Sequence, residues 1–486
     1  MLPEDTLLEI FDIYRLDTMV WSRDGHRWDW LHLAHVCRRW RDVISISPHR
    51  LDLWILCKPG VPIERILDSW SSVPLIVRFK ATPEAKALPD NIAAVLRPNR
   101  WDRICEIDLG VTRPLAGSIV EVIHEPIRAL RSIRVTVKNA MEPPLLIRNS
   151  LLGGSSPHLR EIKLDGIAFP FPAIQQLLSS TNNLVELHLS NIPDDFYFSP
   201  DELITTLSTL VQLRSLTIGF HSPASRPPLP LPPPPSITHR LPTKRTTTLS
   251  SLTLLDFHGA SEYLEELVSQ LDMPSLLKLS IKLFNQILFE IPHFSRFVPR
   301  LKALGGSPTW IFVTHSAESV SVMFVQEGRP SNENWCLGTS CHRLDWQLSF
   351  VTQITSQLSP FVLSNVHSLS IKKAHNSELP SGEEGEEEDV DSDWAQQWLE
   401  LFRPFRHLTQ VHVWEKRLVP GIVQALVTVE GGEGEENNVA AAGITVLPEL
   451  SSLHLSGYRK SPSVAKAAEE FVAARRLAGR TVRLIG

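Results

Sequence analysis

The stretch "LVELHLSNIPDDFYFSPDELITTLSTLVQLRSLTI", residues 184–218, decides the fold. It opens and closes on one phrase, L-x-x-L-x-L, whose two copies start 29 residues apart. Between them Ser199 and Pro200 lead into apolar residues at three- and four-residue spacing. A helix is therefore expected over 199–210, with Ser199 as its N-cap and Pro200 at its first position. With Ile, Val or Phe allowed at the apolar places, the phrase starts at 104, 130, 159, 184, 213, 252, 276, 366, 408 and 450. Successive starts differ by 26, 29, 25, 29, 39, 24, 90, 42 and 42 residues. The step of 39 holds a Pro-rich insert and each step of 42 an acid-rich one; without them all three approach the 24–29 period of the others. The 90-residue step is the irregularity, and degenerate units are expected between 285 and 365, for example at "VSVMFV", 320–325.

The third, fifth and seventh places of each unit play no part in defining the phrase. Of those 30 residues only Gly110, Gly219, Leu254 and Trp414 are not polar. Such alternation marks a short strand with one buried face. Strands recurring at this period resemble leucine-rich repeats, in which each strand lies parallel to the last and a helix or loop returns the chain. The Asn that follows the strand in regular repeats of that kind is mostly missing, so an irregular array is expected. "FPAIQQLLSST", 171–181, reads as another return helix. At the far end "SPSVAKAAEEFVAARRLAG", 461–479, reads as a capping helix started by Ser461 and Pro462 and stopped by Gly479. Its inner face would be Val464, Ala467, Ala468 and Phe471.

Three inserts interrupt the pattern, near 222–248, 378–393 and 430–438. "SPASRPPLPLPPPP" must be extended and polyproline-like, and the two acid-rich runs hold too little apolar surface to order themselves. Residues 378–393 carry nine acids and no base, so the net charge of −6 becomes 48 − 45 = +3 without them. A near-neutral remainder with scattered bases argues against nucleic acid or a membrane surface as partner. No apolar run approaches the roughly 18 residues that span a bilayer. The opening "MLPEDTLLEIF" has acids where a signal peptide carries bases. Five scattered cysteines, Cys37, Cys57, Cys105, Cys336 and Cys341, suit a reducing compartment, so cytosol or nucleus is expected.

The N-terminal 57 residues follow a different period. In "LPEDTLLEIFDIY" Pro3, Glu4 and Asp5 form a first helical turn, and Leu7, Leu8, Phe11 and Tyr14 follow at helical spacing. A second helix places Leu33, Val36, Cys37, Trp40, Val43 and Ile44 on one stripe and ends at Pro48. Two helices of this size bury too little to stand alone, so their apolar faces need the repeats or a partner. Three arginines on one turn are too few for a nucleic-acid helix. His32, His35 and Cys37 do not share a face, and Cys336 with Cys341–His342 is a half-site at most, so no metal is expected.

"LPEDTLLEIF…WLHLAHVCRRWRDVI" resembles an F-box, which begins with Leu-Pro and ends in Val-Cys-Arg-x-Trp. "SPHRLDLWILC", "CHRLDWQLSF", "WLELFRPFRHLTQVHV", "VLPELSSLHLSG" and "EEFVAARRLAG" are similar to segments of the large F-box family of mushroom-forming fungi. The interhelix linker is longer than in most F-boxes. The resemblance implies an F-box over 1–57 that docks on the Skp adaptor of an SCF ubiquitin ligase, itself held by a cullin. Over 58–486 it implies an irregular leucine-rich-repeat-like solenoid that presents a target protein, the whole being an α/β chain of short parallel strands behind a small helical domain. The residues carried over as adaptor-binding are Leu2, Pro3, Leu7, Leu8, Ile10, Phe11, Leu33, Val36, Cys37, Trp40 and Val43. Trp40, Leu8 and Phe11 are the expected anchors. Outward strand positions Glu186, His188, Asp256, His258, Gln410, His412 and Trp414 are expected to read the target. The chain shows no G-x-S-x-G, H-E-x-x-H or phosphate loop, and neither catalysis nor a cofactor is expected. The rival reading is an F-box repeat scaffold acting outside any ligase.

Overall fold

The computed structural model describes residues 2–21, 30–48, 51, 53–60, 63–82, 85, 88–123, 125–138, 145–146, 150–223, 246–286, 288–301, 308–327, 334–341, 343–358, 360–373, 392–430 and 446–486. The expected inserts fall almost wholly outside these residues. The chain divides into two compact units, Met1–Phe198 with Thr205–His221, and Ser199–Ile204 with Ser222–Gly486.

Unit 1 opens with three helices, α1 (Glu4–Trp21), α2 (Trp30–Val36) and α3 (Arg38–Ile46). Besides a short parallel pair, Leu145–Leu146 with Ile167–Ala168, seven longer strands follow among the described residues: β1 (Ile55–Cys57), β2 (Leu75–Lys80), β3 (Ile104–Thr112), β4 (Ser132–Lys138), β5 (Glu161–Asp165), β6 (Glu186–Ile192) and β7 (Ser215–Phe220). Each lies parallel to and beside its predecessor. The return limbs carry α4 (Glu64–Ser69), α5 (Asp90–Val95), α6 (Arg113–Ile123) and α7 (Phe171–Ser179), and α8 (Pro200–Leu207) is divided, Pro200–Ile204 falling in unit 2 and the rest in unit 1. Alternate strand residues are buried, for instance Ile162 and Leu164 on β5 and Leu187 and Leu189 on β6. Each such side chain contributes roughly 1.5–3 kcal/mol by leaving water. α8 starts where the sequence places it. The Glu202 amide donates to Ser199 Oγ at 3.2 Å, and the Glu202 carboxylate accepts from the Ser199 amide at 2.8 Å. This is a reciprocal capping box.

Among the described residues, unit 2 holds nine strands of three or more residues, β8 (Leu254–Gly259), β9 (Lys278–Leu283), β10 (Trp310–His315), β11 (Ser319–Val325), β12 (Trp335–Ser340), β13 (Ser368–Lys373), β14 (Gln410–Val413), β15 (Ser452–Leu455) and β16 (Arg483–Ile485), besides a short parallel pair, Thr247–Thr248 with Leu271–Asp272. Its helices are α9 (Ser261–Gln270), α10 (Pro292–Phe297), α11 (Leu344–Gln357), α12 (Pro360–Leu363), α13 (Ser392–Phe402), α14 (Val419–Glu430) and α15 (Pro462–Leu477). Successive helices pack on one another, α9 on α10, α11 on α13, α13 on α14 and α14 on α15.

Two expectations are corrected in this unit. "VSVMFV" is not a degenerate parallel unit: it forms β11, antiparallel to both β10 and β12. The strand beside β9 is therefore β12, and the parallel array resumes where β10 meets β13. The 90-residue step is a three-stranded up-and-down excursion. Its alternation was legible, but alternation is blind to strand direction. The last member of the array is also not the expected helix. α15 buries Ala468 and Phe471, but β16 follows it and pairs parallel with β15. α15 also buries Arg475, whose guanidinium donates to the carbonyls of Val446 and Leu447 and lies 5.2 Å from the Phe471 ring.

All ten L-x-x-L-x-L phrases carry a strand, and within each unit most strand pairs are parallel. Among the described residues no helix is long and apolar enough to cross a membrane.

Candidate functional site

Three surfaces carry the residues singled out by the sequence. The first is the N-terminal trio of helices. α2 and α3 are not one helix. The chain breaks at Cys37, whose extended backbone and sulfur cap α3 by accepting from the Trp40 amide at 3.5 Å. The continuous stripe from Leu33 to Ile44 is corrected accordingly. Leu33, Val43 and Ile44 point inward, whereas Val36 is 59% exposed and Cys37 faces solvent. Leu7, Leu8 and Phe11 on α1 are buried as well. Phe11 meets Trp40 edge-on at 4.9 Å, and Trp40 is half-buried. Five of the expected adaptor contacts, Leu7, Leu8, Phe11, Leu33 and Val43, are thus internal packing in this structure. Leu8 and Phe11 are not free anchors. The remaining apolar ones, Leu2, Ile10 and Val36, stand in water with Ile13 and Ile46, and Pro3 is exposed. Arg39 ties the start of α1 to α3 by donating to the Leu2 carbonyl.

The second surface is the outward sheet face of unit 1. In-register pairing sets acids against bases across strands. Arg78 reaches Glu106 at 2.8 Å, and Arg134 holds Glu161 through Nη2 at 2.6 Å. The hydrogen bond to Glu161 keeps Arg134 more firmly protonated than usual. Glu186 and His188, two expected target readers, line the same shallow cleft of about 620 Å³ with Lys80, Asp108 and Lys163. His188 Nε2 lies 3.0 Å from Ser190 Oγ, which donates to Asp165 at 2.9 Å. Ser, not His, sits in the middle of that chain, so it is not arranged as a nucleophile–base–carboxylate relay.

The third surface is the outward face of unit 2. Asp256 and His258 lie on β8. Burial pushes the His258 imidazole down to about 4, with Lys282 on the next strand adding repulsion. Further along, His412 stacks on His454 at 4.1 Å and on Trp414 at 6.4 Å. Trp310 faces His412 at 6.3 Å and Phe312 at 6.0 Å. Gln410 Oε1 is 3.3 Å from His412 Nε2. Burial, then the neighbouring His454, lowers the pKa of His412. Trp414 is 61% exposed. Sequence reasoning missed Trp310, Phe312 and His454 on this face. His454 holds the same place in its repeat as His188 and His412, so the signal was available. Trp310 and Phe312 lie in the excursion whose direction the sequence does not reveal.

The expected readers therefore fall into two groups, Glu186 and His188 in unit 1 and Asp256, His258, Gln410, His412 and Trp414 in unit 2. Among the described residues no group of three His, Cys, Asp or Glu side chains could hold a metal.

These features define an α/β repeat protein, with parallel-dominated sheets compatible with a leucine-rich-repeat-like solenoid and with polar, part-aromatic outward faces. No family model matches the chain, and none of the curated proteins matches it in sequence. Among solved structures it is similar to the leucine-rich repeat-containing protein LegL7 from Legionella pneumophila, with 13% identity over 72% of this chain and 93% of that one and a TM-score of 0.26. At that TM-score the likeness carries no argument, and the repeat reading rests on the ten strands themselves.

Proposed function

We propose that this chain is a non-catalytic substrate-recognition subunit of an SCF-type ubiquitin ligase, working in the cytosol or nucleus. Its three N-terminal helices dock on a Skp-type adaptor held by a cullin, and its repeats bind a target protein. The observation that supports this best is the apolar surface left in water on those helices. Leu2 is 50%, Ile13 67%, Val36 59% and Ile46 75% exposed, beside a sealed inner set. Apolar side chains exposed on so small an element are ones that a partner's surface could cover. The roles are divided: Leu7, Leu8 and Phe11 hold the helices together, whereas Leu2, Ile10 and Val36 meet the adaptor. Protein interfaces of this kind bury about 1,200–2,000 Å² in total. The repeats then act by holding the target close to the transfer machinery, a gain of proximity and orientation.

Co-purification tests the proposal. The intact chain captures a Skp-type adaptor, and the chain lacking residues 1–57 does not. Capture by the shortened chain moves the docking site into the repeats. Capture by neither removes the adaptor and leaves a scaffold acting outside the ligase.

A further inference from the structure

The later strands of unit 2 differ in charge from those before them. β10 to β16 hold no Asp or Glu, whereas β3, β5, β6 and β8 carry Glu106, Asp108, Glu161, Glu186 and Asp256. Lys372 on β13 and Arg483 on β16 have no carboxylate partner among the described residues. Register sets Phe312, Ser370, His412, His454 and Ile485 in one outward row, and Met323 continues it on β11. Ser370 is buried, and so is Ser368 in the next row, so the larger rings close over small side chains. The His412 and His454 rings lie face to face, 4.1 Å apart and 19° from parallel. Trp414 is 11° from parallel with His412, and Trp310 is 24° from it. Rings stacked across neighbouring strands turn their edges, not their faces, away from the sheet. Lys372 Nζ lies 5.1 Å from the centre of the Phe312 ring. Trp414, Ile485 and Met323 are exposed.

We propose that this face binds an acidic, apolar-rich segment of the target protein. The inference rests on the reading of the repeats as target-binding and names the sequence chemistry they select. Charge complementarity carries it. A carboxylate laid here meets Lys372 or Arg483 and finds no like charge on any strand from β10 to β16. The ring edges act in the same sense, because an aromatic ring is electrostatically positive at its edge and negative at its face. Apolar side chains of the segment cover Trp414, Met323 and Ile485, and Trp is among the residue types that most often anchor an interface. Nucleic acid fits less well, since its bases stack on open ring faces and His412 has His454 against one of its own. A basic segment finds no acid on these strands to pair with.

The test uses the full chain and three fluorescent degenerate peptide pools, compared by anisotropy at constant ionic strength. All three hold Leu, Phe and Pro, interleaved with Asp and Glu, with Asn and Gln, or with Lys. The acidic pool binds at least about tenfold tighter than the amide pool, and the Lys pool binds weakest. W414A, altered at an exposed side chain, melts as the parent does and loses about tenfold or more in affinity for the acidic pool. The charge reversal K372E/R483E turns the preference round, so that the Lys pool binds tighter than the acidic one. W346A removes an exposed Trp from α11 and leaves binding unchanged. Equal binding of the acidic and amide pools by the parent overturns the proposal, and so does an acidic preference that survives K372E/R483E. A loss with W346A as large as that with W414A reports general adhesion and overturns it too. Other occupants would also overturn it. Tighter binding of single-stranded oligothymidylate than of the acidic pool assigns the face to nucleic acid. Self-association that W414A abolishes assigns it to a second copy. Acidic-pool binding that appears only when the acids of 378–393 are replaced by their amides assigns it to the chain's own acidic run. Adaptor capture is measured on the same preparations. An acidic preference without capture sinks the ligase reading alone, and capture without the preference sinks this one alone.

Discussion

Replacing His258 by Gln removes a titration that the fold imposes. The imidazole lies on β8 with its ring 4.9 Å from that of Phe284, and Lys282 is its register partner on β9. Burial first, and Lys282 second, lower its pKa from 6.5 to about 4. Between those values the unfolded chain binds a proton at this position and the folded chain does not. Stability therefore rises with pH through the window, is complete above the unfolded value, and is lost as pH falls towards 4. A shift of that size sets an upper limit of about 3 kcal/mol, since one pKa unit is about 1.4 kcal/mol. Solvent screening of a half-buried ring brings the expected figure to about 1–2 kcal/mol. Urea unfolding of the full chain at about pH 7 and about pH 5 measures it, because other groups titrate alike in parent and variant and cancel in the difference. H258Q should lose about 1–2 kcal/mol less than the parent on acidification. Identical acid sensitivity in the two proteins would refute the assignment.

Two further predictions concern the frame. A Cβ at Gly338 would sit 2.9 Å from the Val320 carbonyl oxygen on β11, so Gly338→Val forces the antiparallel excursion apart. It should cost about 1–3 kcal/mol in a melting or urea experiment, as overpacking does. Ser199→Ala removes the hydroxyl that caps α8 and should cost about 1 kcal/mol, read the same way.

The sequence told most where a residue's neighbours along the chain are also its neighbours in space. Leu187, Leu189, Leu216 and Ile218 are buried because alternation on a strand is a local property, so every phrase with that pattern became a strand. β1 and β2 escaped notice since "ILC" and most of "LIVRFK" are buried on both faces, and a continuous apolar run lacks the alternating signature. The direction of β11 depends on which strands it meets, and that is not a local property. The break at Cys37 was hidden because Val36, Trp40 and Val43 keep helical spacing across it. Only burial separates the inner set from the exposed one.

Adaptor binding by the double variant I10D/V36D tests the central claim most directly, measured by titration of the full chain with purified Skp-type adaptor. Both positions are exposed, so melting should stay within about 0.5 kcal/mol of the parent. If those side chains meet the adaptor, affinity falls about thirtyfold or more, the mark of an interface hot spot. By contrast Phe11→Ala should cost about 3–5 kcal/mol of stability, because that ring is sealed inside the helices. A folded I10D/V36D chain that binds the adaptor as tightly as the parent would contradict the account.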